Sequence, residues 1–202
     1  MSDRRNTSPK VSLLILNHNG GPMLERCIES VTATEYPDFQ GVIVDNGSVD
    51  RSVQNARQSY PNILIVQNLS SLGLGSAYNK AVGATTGEFL VFLNNDIEVD
   101  PRWLKALVEF AVRQEANILQ PEILFLHNRS IVNSVGNELP IAGFGHCGGI
   151  GEHDNGQYDR PRQVGYASGA CLFVWRDVFD KLGGFDETCL GYGSDIDLGG
   201  EL

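Results

Sequence analysis

The stretch VSLLILNHNG at residues 11–20 sets the expectation for the fold, because a mostly apolar run passes directly into a polar turn. The same order, an apolar run and then a polar turn, recurs in GVIVDNGS at residues 41–48 and in EFLVFLNND at residues 88–96. The run NILIV at residues 62–66 has the same β-branched character. Apolar runs that do not alternate with polar residues predict strands buried on both faces, as in a parallel sheet covered by helices.

Segments with helical periodicity separate these runs. The first places four apolar residues between Leu24 and Val31 on one face. Helices are also predicted at residues 50–60 and 75–84, and Asp100-Pro101 opens a longer one with a broad apolar stripe. The aspartates at positions 50 and 100 suit the N-cap. Strands that alternate with helices predict an α/β fold with a mostly parallel sheet and right-handed crossovers.

The regular alternation stops after the helix that follows Asp100. Strands are predicted at residues 117–120, 130–135 and 170–175, followed by a short helix at residues 177–182. The glycine-rich segment 136–165 lies between them and predicts a long loop, which we interpret as a mobile lid.

Composition excludes several classes of protein. The 202 residues carry 15 lysines and arginines against 25 aspartates and glutamates, so the net charge is −10. This balance argues against a nucleic-acid-binding protein and against a polybasic membrane patch. No apolar run approaches the roughly 20 residues of a membrane span, and no apolar segment follows the first arginines as in a signal peptide. These features predict a cytoplasmic protein.

The cysteines and histidines do not predict a metal centre. The four cysteines are widely spread without a CxxC pair, which indicates free thiols. His146, Cys147 and His153 lie close together, but they provide too few ligands at the usual spacings for zinc. Trp103 is predicted to be a core residue from its helical spacing, and Trp175 is predicted to pack in the core rather than to stack on a ligand.

Polar residues follow three of the predicted strands at their carboxyl ends, namely Asn17–Gly20, Asp45–Ser48 and Asn94–Asp96. Ligands of open α/β sheets bind outside the carboxyl ends of the strands. Each cluster alone is typical of an ordinary turn, because Asn, Asp and Gly are common turn formers. Three clusters at corresponding strand ends predict a ligand site at that edge of the sheet.

Five motifs in order resemble the family 2 glycosyltransferases of the GT-A fold: VSLLILNHNG, GVIVDNGSVDRS, FLNNDIEVDPRWL, ASGACLFVWRDVFDKLGGFDE and YGSDIDL. They are most similar to the branch of rhamnosyltransferase-like enzymes of cell-surface polysaccharide assembly. The resemblance implies a Rossmann-like, mostly parallel sheet flanked by helices, with a smaller acceptor-side sheet. We expect one GT-A domain over residues 1–202, with a nucleotide-binding half at 10–100. The acceptor and catalytic half at 101–202 is expected to be cut short, because relatives usually continue with more helix.

The resemblance also implies roles for the strand-end residues. Asp45 is expected to accept a hydrogen bond from a uracil or thymine base, with Asn17 and Asn46 beside it. Asp96 occupies the last position of the family's DxD motif and is expected to bind Mg²⁺ or Mn²⁺, which bridges the donor diphosphate. The nucleotide-binding set is completed by Gly73, Asn79, Asn94 and Asn95. Because Asn94 replaces the first aspartate of that motif, the protein offers one carboxylate, and metal binding without nucleotide is expected to be weak.

The last motif implies the catalytic base. Asp195 stands where the family has the aspartate that takes the proton from the acceptor hydroxyl, and Asp197 is expected to support this segment. Ser194 replaces the preceding glutamate of the family. Ser168 and Gly169 are expected to lie beside the donor sugar and the acceptor. The glycine pair at 183–184 and Phe185 are interpreted as a structural turn and its anchor.

Together these roles predict an inverting transferase that moves a sugar from a UDP- or dTDP-sugar to a hydroxyl acceptor. The acceptor would be a glycan or a lipid-linked intermediate. The protein would reach it by associating peripherally with the inner face of the cell membrane. One alternative is a non-catalytic or truncated module that binds nucleotide-sugars. A sugar nucleotidyltransferase is the weaker alternative, because the first loop has only Arg26 nearby to hold a triphosphate.

Overall fold

A computed structural model describes residues 8–138 and 146–188 of the chain. The secondary structure alternates strands and helices through the first half and becomes strand-rich in the second. In chain order the strands are β1 (Val11–Asn17), β2 (Phe39–Asn46), β3 (Leu64–Asn68), β4 (Phe89–Asn94), β5 (Ile118–Leu119), β6 (Ile123–Phe125), β7 (Asn128–Ser134), β8 (Asn137–Glu138), β9 (His146–Cys147) and β10 (Cys171–Trp175). The helices are α1 (Gly21–Thr32), α2 (Ser52–Ser59), α3 (Leu74–Val82), α4 (Trp103–Gln114) and α5 (Arg176–Lys181).

The main sheet has six strands in the order β3-β2-β1-β4-β10-β5. The four strands from the first half of the chain pair in parallel. β10 pairs antiparallel with both β4 and β5, although they are far from it in the sequence. The sheet therefore confirms the predicted α/β class and its mostly parallel character.

Both faces of the sheet are covered, as the apolar runs predict. Leu13 and Ile15 of β1 point into a core shared with α1, α2 and α4, whereas Leu14 between them points into a core shared with α3 and α5. All three side chains are fully buried. Among the described residues, no helix has both the length and the apolarity needed to cross a membrane.

Two predicted helices begin later than expected. The aspartates at positions 50 and 100 each accept a hydrogen bond from the backbone N–H two residues on, that of Ser52 and that of Arg102. This side-chain geometry forms a turn before the helix, so α2 begins at Ser52 and α4 at Trp103. The two aspartates lead into these helices rather than occupying the N-cap itself.

The second half contains two small antiparallel sheets, β6–β7 and β8–β9, where the sequence predicts one smaller sheet. Much of the glycine-rich segment 136–165 is also tied to its neighbours. The Val132 amide donates to the Glu152 carbonyl (2.9 Å), and the Asp154 amide donates to the Ser130 carbonyl (2.9 Å). The described part of the segment therefore runs along β7 as hydrogen-bonded structure, which differs from the free lid predicted.

An aromatic cluster joins α3, β4, α5 and the segment after α5. Phe185 is 5% exposed, and its ring centroid lies 4.8 Å from that of Phe92 and 5.3 Å from that of Phe179. Gly183 and Gly184 precede it with φ values of +84° and +83°, a backbone region that favours glycine. The glycine turn and its aromatic anchor are thus present as predicted. Trp175 also lies in the core, against Phe89.

We expect Phe185→Ala to lower the free energy of unfolding by about 3–5 kcal/mol, because it leaves a cavity among aromatic rings. Phe185→Leu keeps more of the buried volume and should cost clearly less. Chemical denaturation of both variants, followed by circular dichroism, measures the difference. Equal losses, or a loss under about 1 kcal/mol for the alanine variant, would contradict the anchor role.

Candidate active site

The three polar strand ends meet at one edge of the main sheet. In the parallel register Asn17 lies opposite Asp45, and Leu16 lies opposite Asn94. The sequence prediction that the loops after β1, β2 and β4 converge is therefore confirmed. What their side chains do there differs from residue to residue.

Asn17 is fully buried and acts as a hub between loops. Its Nδ2 atom lies within hydrogen-bond distance of Asp45 Oδ1 (3.2 Å), Ser48 Oγ (2.9 Å) and Ser52 Oγ (3.1 Å). These contacts connect the end of β1 with the loop after β2 and with the start of α2. The side-chain amide of Asn17 is therefore directed into the protein rather than toward a ligand.

Asp45 is also fully buried. Its Oδ1 atom accepts the hydrogen bond from Asn17, while its Oδ2 atom has no hydrogen-bond partner among the described residues. A buried polar atom without a partner is costly, so Oδ2 is an acceptor left unused by the described residues at this edge of the sheet. The sequence predicts a ligand contact for Asp45, but the structure places the carboxylate beneath its loop rather than at the surface.

Asn46 holds the loop that follows β3. Its Nδ2 atom donates to the Leu72 carbonyl, and its Oδ1 atom accepts from the Leu72 amide, both at 2.9 Å. Asn68 Nδ2 is 3.4 Å from the same oxygen, and Lys80 Nζ donates to Asn68 Oδ1 (2.8 Å). The Asn46 side chain, for which a nucleotide contact was predicted, thus connects two loops of the protein.

Two residues without a predicted ligand contact, Asn19 and Asp50, extend the network. Asn19 has a φ of +54°, and its Oδ1 atom accepts hydrogen bonds from the amides of Val49 and Asp50. Partial burial acts to raise the pKa of Asp50, but hydrogen bonds from Ser52 and Gly21 outweigh it and hold that pKa below its ordinary value. The available signal was the pair of Asn- and Asp-rich turns, which commonly bond to nearby backbone.

Asp96 lies on the floor of a cleft of about 350 Å³ beside this network. Its carboxylate is exposed and, within residues 8–138 and 146–188, forms neither a hydrogen bond nor an ion pair. Asn94 and Ala170 line the cleft next to it. A free carboxylate beside an amide side chain is a suitable oxygen donor set for a hard divalent cation, so the residues fit the predicted metal.

The described protein residues alone supply few ligands at this place. No group of three or more His, Cys, Asp or Glu side chains within those ranges is arranged to hold a metal ion. Asn95, between the two cleft residues, does not face the cleft with its amide: its Nδ2 atom donates to Asn17 Oδ1 (3.0 Å). Any cation at Asp96 would therefore take most of its ligands from substrate or water.

The hairpin β6–β7 forms the opposite wall of the cleft and was not predicted to do so. Its apolar residues 123–126 face the cleft together with Met23 of α1. At the rim, Glu98 receives a hydrogen bond from Arg129 (2.8 Å) and lies 3.6 Å from Arg26. The cleft thus has an acidic and amide floor, an apolar wall and a charged rim.

The segment before β10 is tied to the same floor. The Asn94 amide donates to the Ala170 carbonyl (3.1 Å), and the Ala170 amide donates to Ser168 Oγ (3.3 Å). The Ser168 amide in turn donates to Gln120 Oε1. The structure therefore brings Ser168 and Gly169 beside the Asn94–Asp96 turn, where a sugar site is expected.

Asn79 does not join the strand-end cluster. Its Nδ2 atom donates to the Phe185 carbonyl (2.8 Å), and its Oδ1 atom accepts from the Phe185 amide (3.0 Å). Gly75 is likewise packed on this segment, since a Cβ atom there would lie 2.9 Å from that of Phe185. Both residues hold the segment after α5 in place. Gly73 is the N-cap of α3, and its predicted donor contact stays a prediction.

The two buried cysteines beside β4, Cys27 and Cys171, are poor nucleophiles. Burial raises the pKa of the Cys27 thiol to about 12, with Asp96 and Glu98 adding to the effect. Burial also raises the pKa of Cys171 to about 12. Both thiols stay protonated at neutral pH, which argues against a nucleophilic cysteine here. The expected catalytic residues Asp195 and Asp197 lie outside the described residues.

Two curated proteins are similar to most of the chain. The O-antigen biosynthesis protein RfbC of Myxococcus xanthus is 31% identical over an alignment of 202 positions, which covers 95% of this chain and 16% of that protein. The N-acetylglucosaminyl-diphospho-decaprenol L-rhamnosyltransferase of Mycobacterium tuberculosis is 30% identical over an alignment of 215 positions, which covers 94% of this chain and 69% of that protein. The chain thus spans only a small part of the first protein and about two thirds of the second.

Among solved structures, the mannosyltransferase PcManGT from Pyrobaculum calidifontis, in complex with GDP-Man and Mn²⁺, superposes with a TM-score of 0.67 and 18% identity. The match covers 95% of this chain and 51% of that one, and it confirms the predicted GT-A fold. The family model described as Glycosyl transferase family 2 matches residues 12–183, which include every described helix and all of the described strands except the first residue of β1. The chain therefore belongs to glycosyl transferase family 2.

Proposed function

We propose that this family 2 glycosyltransferase transfers a sugar from a UDP- or dTDP-sugar to a hydroxyl acceptor with inversion at the anomeric carbon. The observation that carries the proposal is the Asp96 carboxylate in the cleft at the carboxyl edge of the sheet, which no described residue bonds. Asn94 lies beside it, and the segment 168–170 closes the floor. The cleft would then lie between the nucleotide-binding half, residues 10–100, and the acceptor half, residues 101–202.

Asp96 and Asn94 would hold a Mg²⁺ or Mn²⁺ ion. When bound, the ion supplies positive charge to the leaving diphosphate, which carries about two negative charges. The chain itself is acidic, with 25 aspartates and glutamates against 15 lysines and arginines. The positive charge of the ion is therefore needed to offset repulsion of the diphosphate. PcManGT supports the metal by analogy, since its structure contains Mn²⁺.

The acceptor side follows from the cleft and from the relatives. The apolar wall formed by β6 suits the C–H face of a sugar ring. The name of the Mycobacterium tuberculosis relative gives N-acetylglucosaminyl-diphospho-decaprenol as its acceptor, which supports a lipid-linked acceptor for this chain. Peripheral association at the inner face of the cell membrane stays a prediction. Asp195 is proposed as the base that removes the proton of the acceptor hydroxyl as it attacks.

Thermal denaturation tests the donor site. At about 100 times the dissociation constant, UDP or dTDP with Mn²⁺ should stabilise the folded chain by about 2.7 kcal/mol, which raises Tm by roughly 5 °C or more. Mn²⁺ alone should have little effect, because the described protein residues offer it few ligands. GDP serves as the comparison nucleotide, since PcManGT was solved with GDP-Man.

A second measurement separates the candidate activities. Incubation with UDP-sugars or dTDP-L-rhamnose and Mn²⁺ should release free nucleotide slowly, with water as the acceptor. Nucleotide binding without any turnover, in the presence of a lipid-linked acceptor, would favour the non-catalytic module. Turnover that depends on pyrophosphate would favour a nucleotidyltransferase. A large Tm shift with Mn²⁺ alone would show that the proposed metal site is wrong.

A further inference from the structure

A partly buried hydrogen bond joins the loop after β1 to the loop after β4. Asn95 Nδ2 donates to Asn17 Oδ1 over 3.0 Å, and the Gly20 amide donates to the same oxygen over 3.2 Å. Asn17 is fully buried, and through its Nδ2 atom it also holds Asp45. Asn95 directly precedes Asp96 in the chain. The contact therefore connects the base of the Asp45 loop with the backbone that carries Asp96.

The absence of a side chain at Gly20 leaves room for this contact. Its φ of −72° and ψ of −18° are ordinary helical values that any L-residue adopts, so backbone freedom does not explain a glycine. A Cβ atom there would lie 2.4 Å from Asn95 Nδ2 and 2.5 Å from Asn17 Oδ1. Both distances are shorter than real Cβ contacts allow, and both atoms belong to the hydrogen-bonded pair.

The turn that carries Asp96 is held at two points. Asn95 ties its start to Asn17, and the Val99 amide donates to Ser30 Oγ (3.2 Å) at its end. Asp96 itself has no hydrogen bond or ion pair within the described ranges. The position of its carboxylate therefore depends on the anchors of its turn rather than on direct contacts.

We propose that Asn17, Asn95 and Gly20 form a brace that sets the position of Asp96 for the cation and the donor diphosphate. Asn17 and Asn95 are then positioning residues that act through Asp96, not groups that touch the nucleotide with their side chains. The proposal rests on the proposed function for the role of Asp96. Since Asp96 is the carboxylate assigned to the cation, a small displacement of its turn should weaken metal-linked binding strongly. Loss of a residue that orients a metal ligand typically costs 10–100-fold in affinity.

Two variants test the brace. Asn95→Ala removes the donor, and Gly20→Ala inserts a methyl group between the paired amides. Gly83→Ala is the matched control, because Gly83 has φ −60° and ψ −21° and an added Cβ would only approach the Lys80 carbonyl to 3.5 Å. Asn155→Ala controls for the loss of an amide, since Asn155 is exposed and bonds to the nearby His153 carbonyl.

The first readout needs no ligand. Loss of one hydrogen bond should speed amide hydrogen exchange about fivefold in residues 17–21 and 94–99, while the core of α4 keeps its protection. The second readout is the gain in nucleotide affinity on adding Mn²⁺, measured with whichever of UDP, dTDP and GDP shifts Tm most. That gain should fall about 10–100-fold in both variants. Affinity without metal should stay within about twofold, and the controls should match the parent chain.

The outcomes separate the two proposals. Unchanged exchange in residues 94–99 of Asn95→Ala would overturn the brace, as would an unchanged Mn²⁺-dependent gain. An equal loss of affinity with and without metal would mean that Asn95 contacts the nucleotide directly, which also overturns it. If the parent chain shows no Mn²⁺-dependent gain, the proposed function fails, and the exchange data still decide whether the brace exists. Asn95→Ala carries the test if Gly20→Ala does not fold.

Discussion

Replacing Asp96 with asparagine is expected to lower the rate of sugar transfer on the order of a hundredfold or more, with little change in folding. The side chain is exposed and without a hydrogen bond or ion pair in the described part of the chain, so its charge contributes little to stability. Its loss removes the carboxylate assigned to the cation, and loss of preorganised charge stabilisation typically costs 10²–10³ in rate. Steady-state transfer measured against Mn²⁺ concentration should show both a lower maximum and a weaker metal dependence.

Asp38→Asn provides the control for the same change of charge. Asp38 is exposed near the amino end of β1, where its carbonyl accepts a hydrogen bond from Val11 (3.0 Å). This end of the sheet is opposite to the cleft, so transfer should be unaffected. Nucleotide affinity without metal should be similar in the parent chain and in Asp96→Asn. Full metal-dependent activity in Asp96→Asn would rule out the assigned metal ligand.

Asp195→Asn is expected to lower the rate of transfer to the acceptor by about 10²–10⁴-fold, while nucleotide binding with Mn²⁺ is retained. General base catalysis by a positioned side chain contributes this much, because the acceptor hydroxyl becomes acidic only as it attacks. An amide keeps the size of the carboxylate and cannot take the proton. Transfer rates and nucleotide-induced Tm shifts, measured on the same preparations, separate the two steps.

Asp197→Asn distinguishes the base from its neighbour. It should reduce transfer less than Asp195→Asn, since Asp197 is assigned a supporting role. Retained activity in Asp195→Asn together with loss in Asp197→Asn would reverse the assignment. The anomeric configuration of the product, read by NMR, tests the mechanism independently: retention would contradict the single displacement.

The asparagines show where sequence reasoning reached its limit. Their positions at strand ends predicted a ligand site, and the strand ends do meet there. Yet the side-chain amides of Asn17, Asn46, Asn79 and Asn95 all bond to protein groups. An amide can donate and accept equally well toward a ligand or toward a loop, so residue type alone does not distinguish the two. The choice depends on which loop lies within hydrogen-bond distance.

The glycines give the same lesson in terms of space. Gly75 lies two residues after Gly73, which is expected to contact the donor, but the space above Gly75 is filled by Phe185 and Asp186. Gly20 ends the first polar cluster and carried no separate prediction, although its missing Cβ makes room for the Asn17–Asn95 contact. In both cases the neighbour that requires the glycine comes from a segment more than 70 residues away in the chain.

Local sequence patterns were enough to predict the buried parallel strands, the helices that cover them and the edge at which polar residues collect. These features follow from local periodicity and from short polar turns, which a single segment expresses without its neighbours. Only the tertiary structure placed β10 antiparallel between β4 and β5 and set the hairpin β6–β7 opposite Asp96. It also decided which amides bond to protein groups and that no described residue bonds the Asp96 carboxylate, because such contacts join segments that are distant in sequence and become neighbours only in the folded chain.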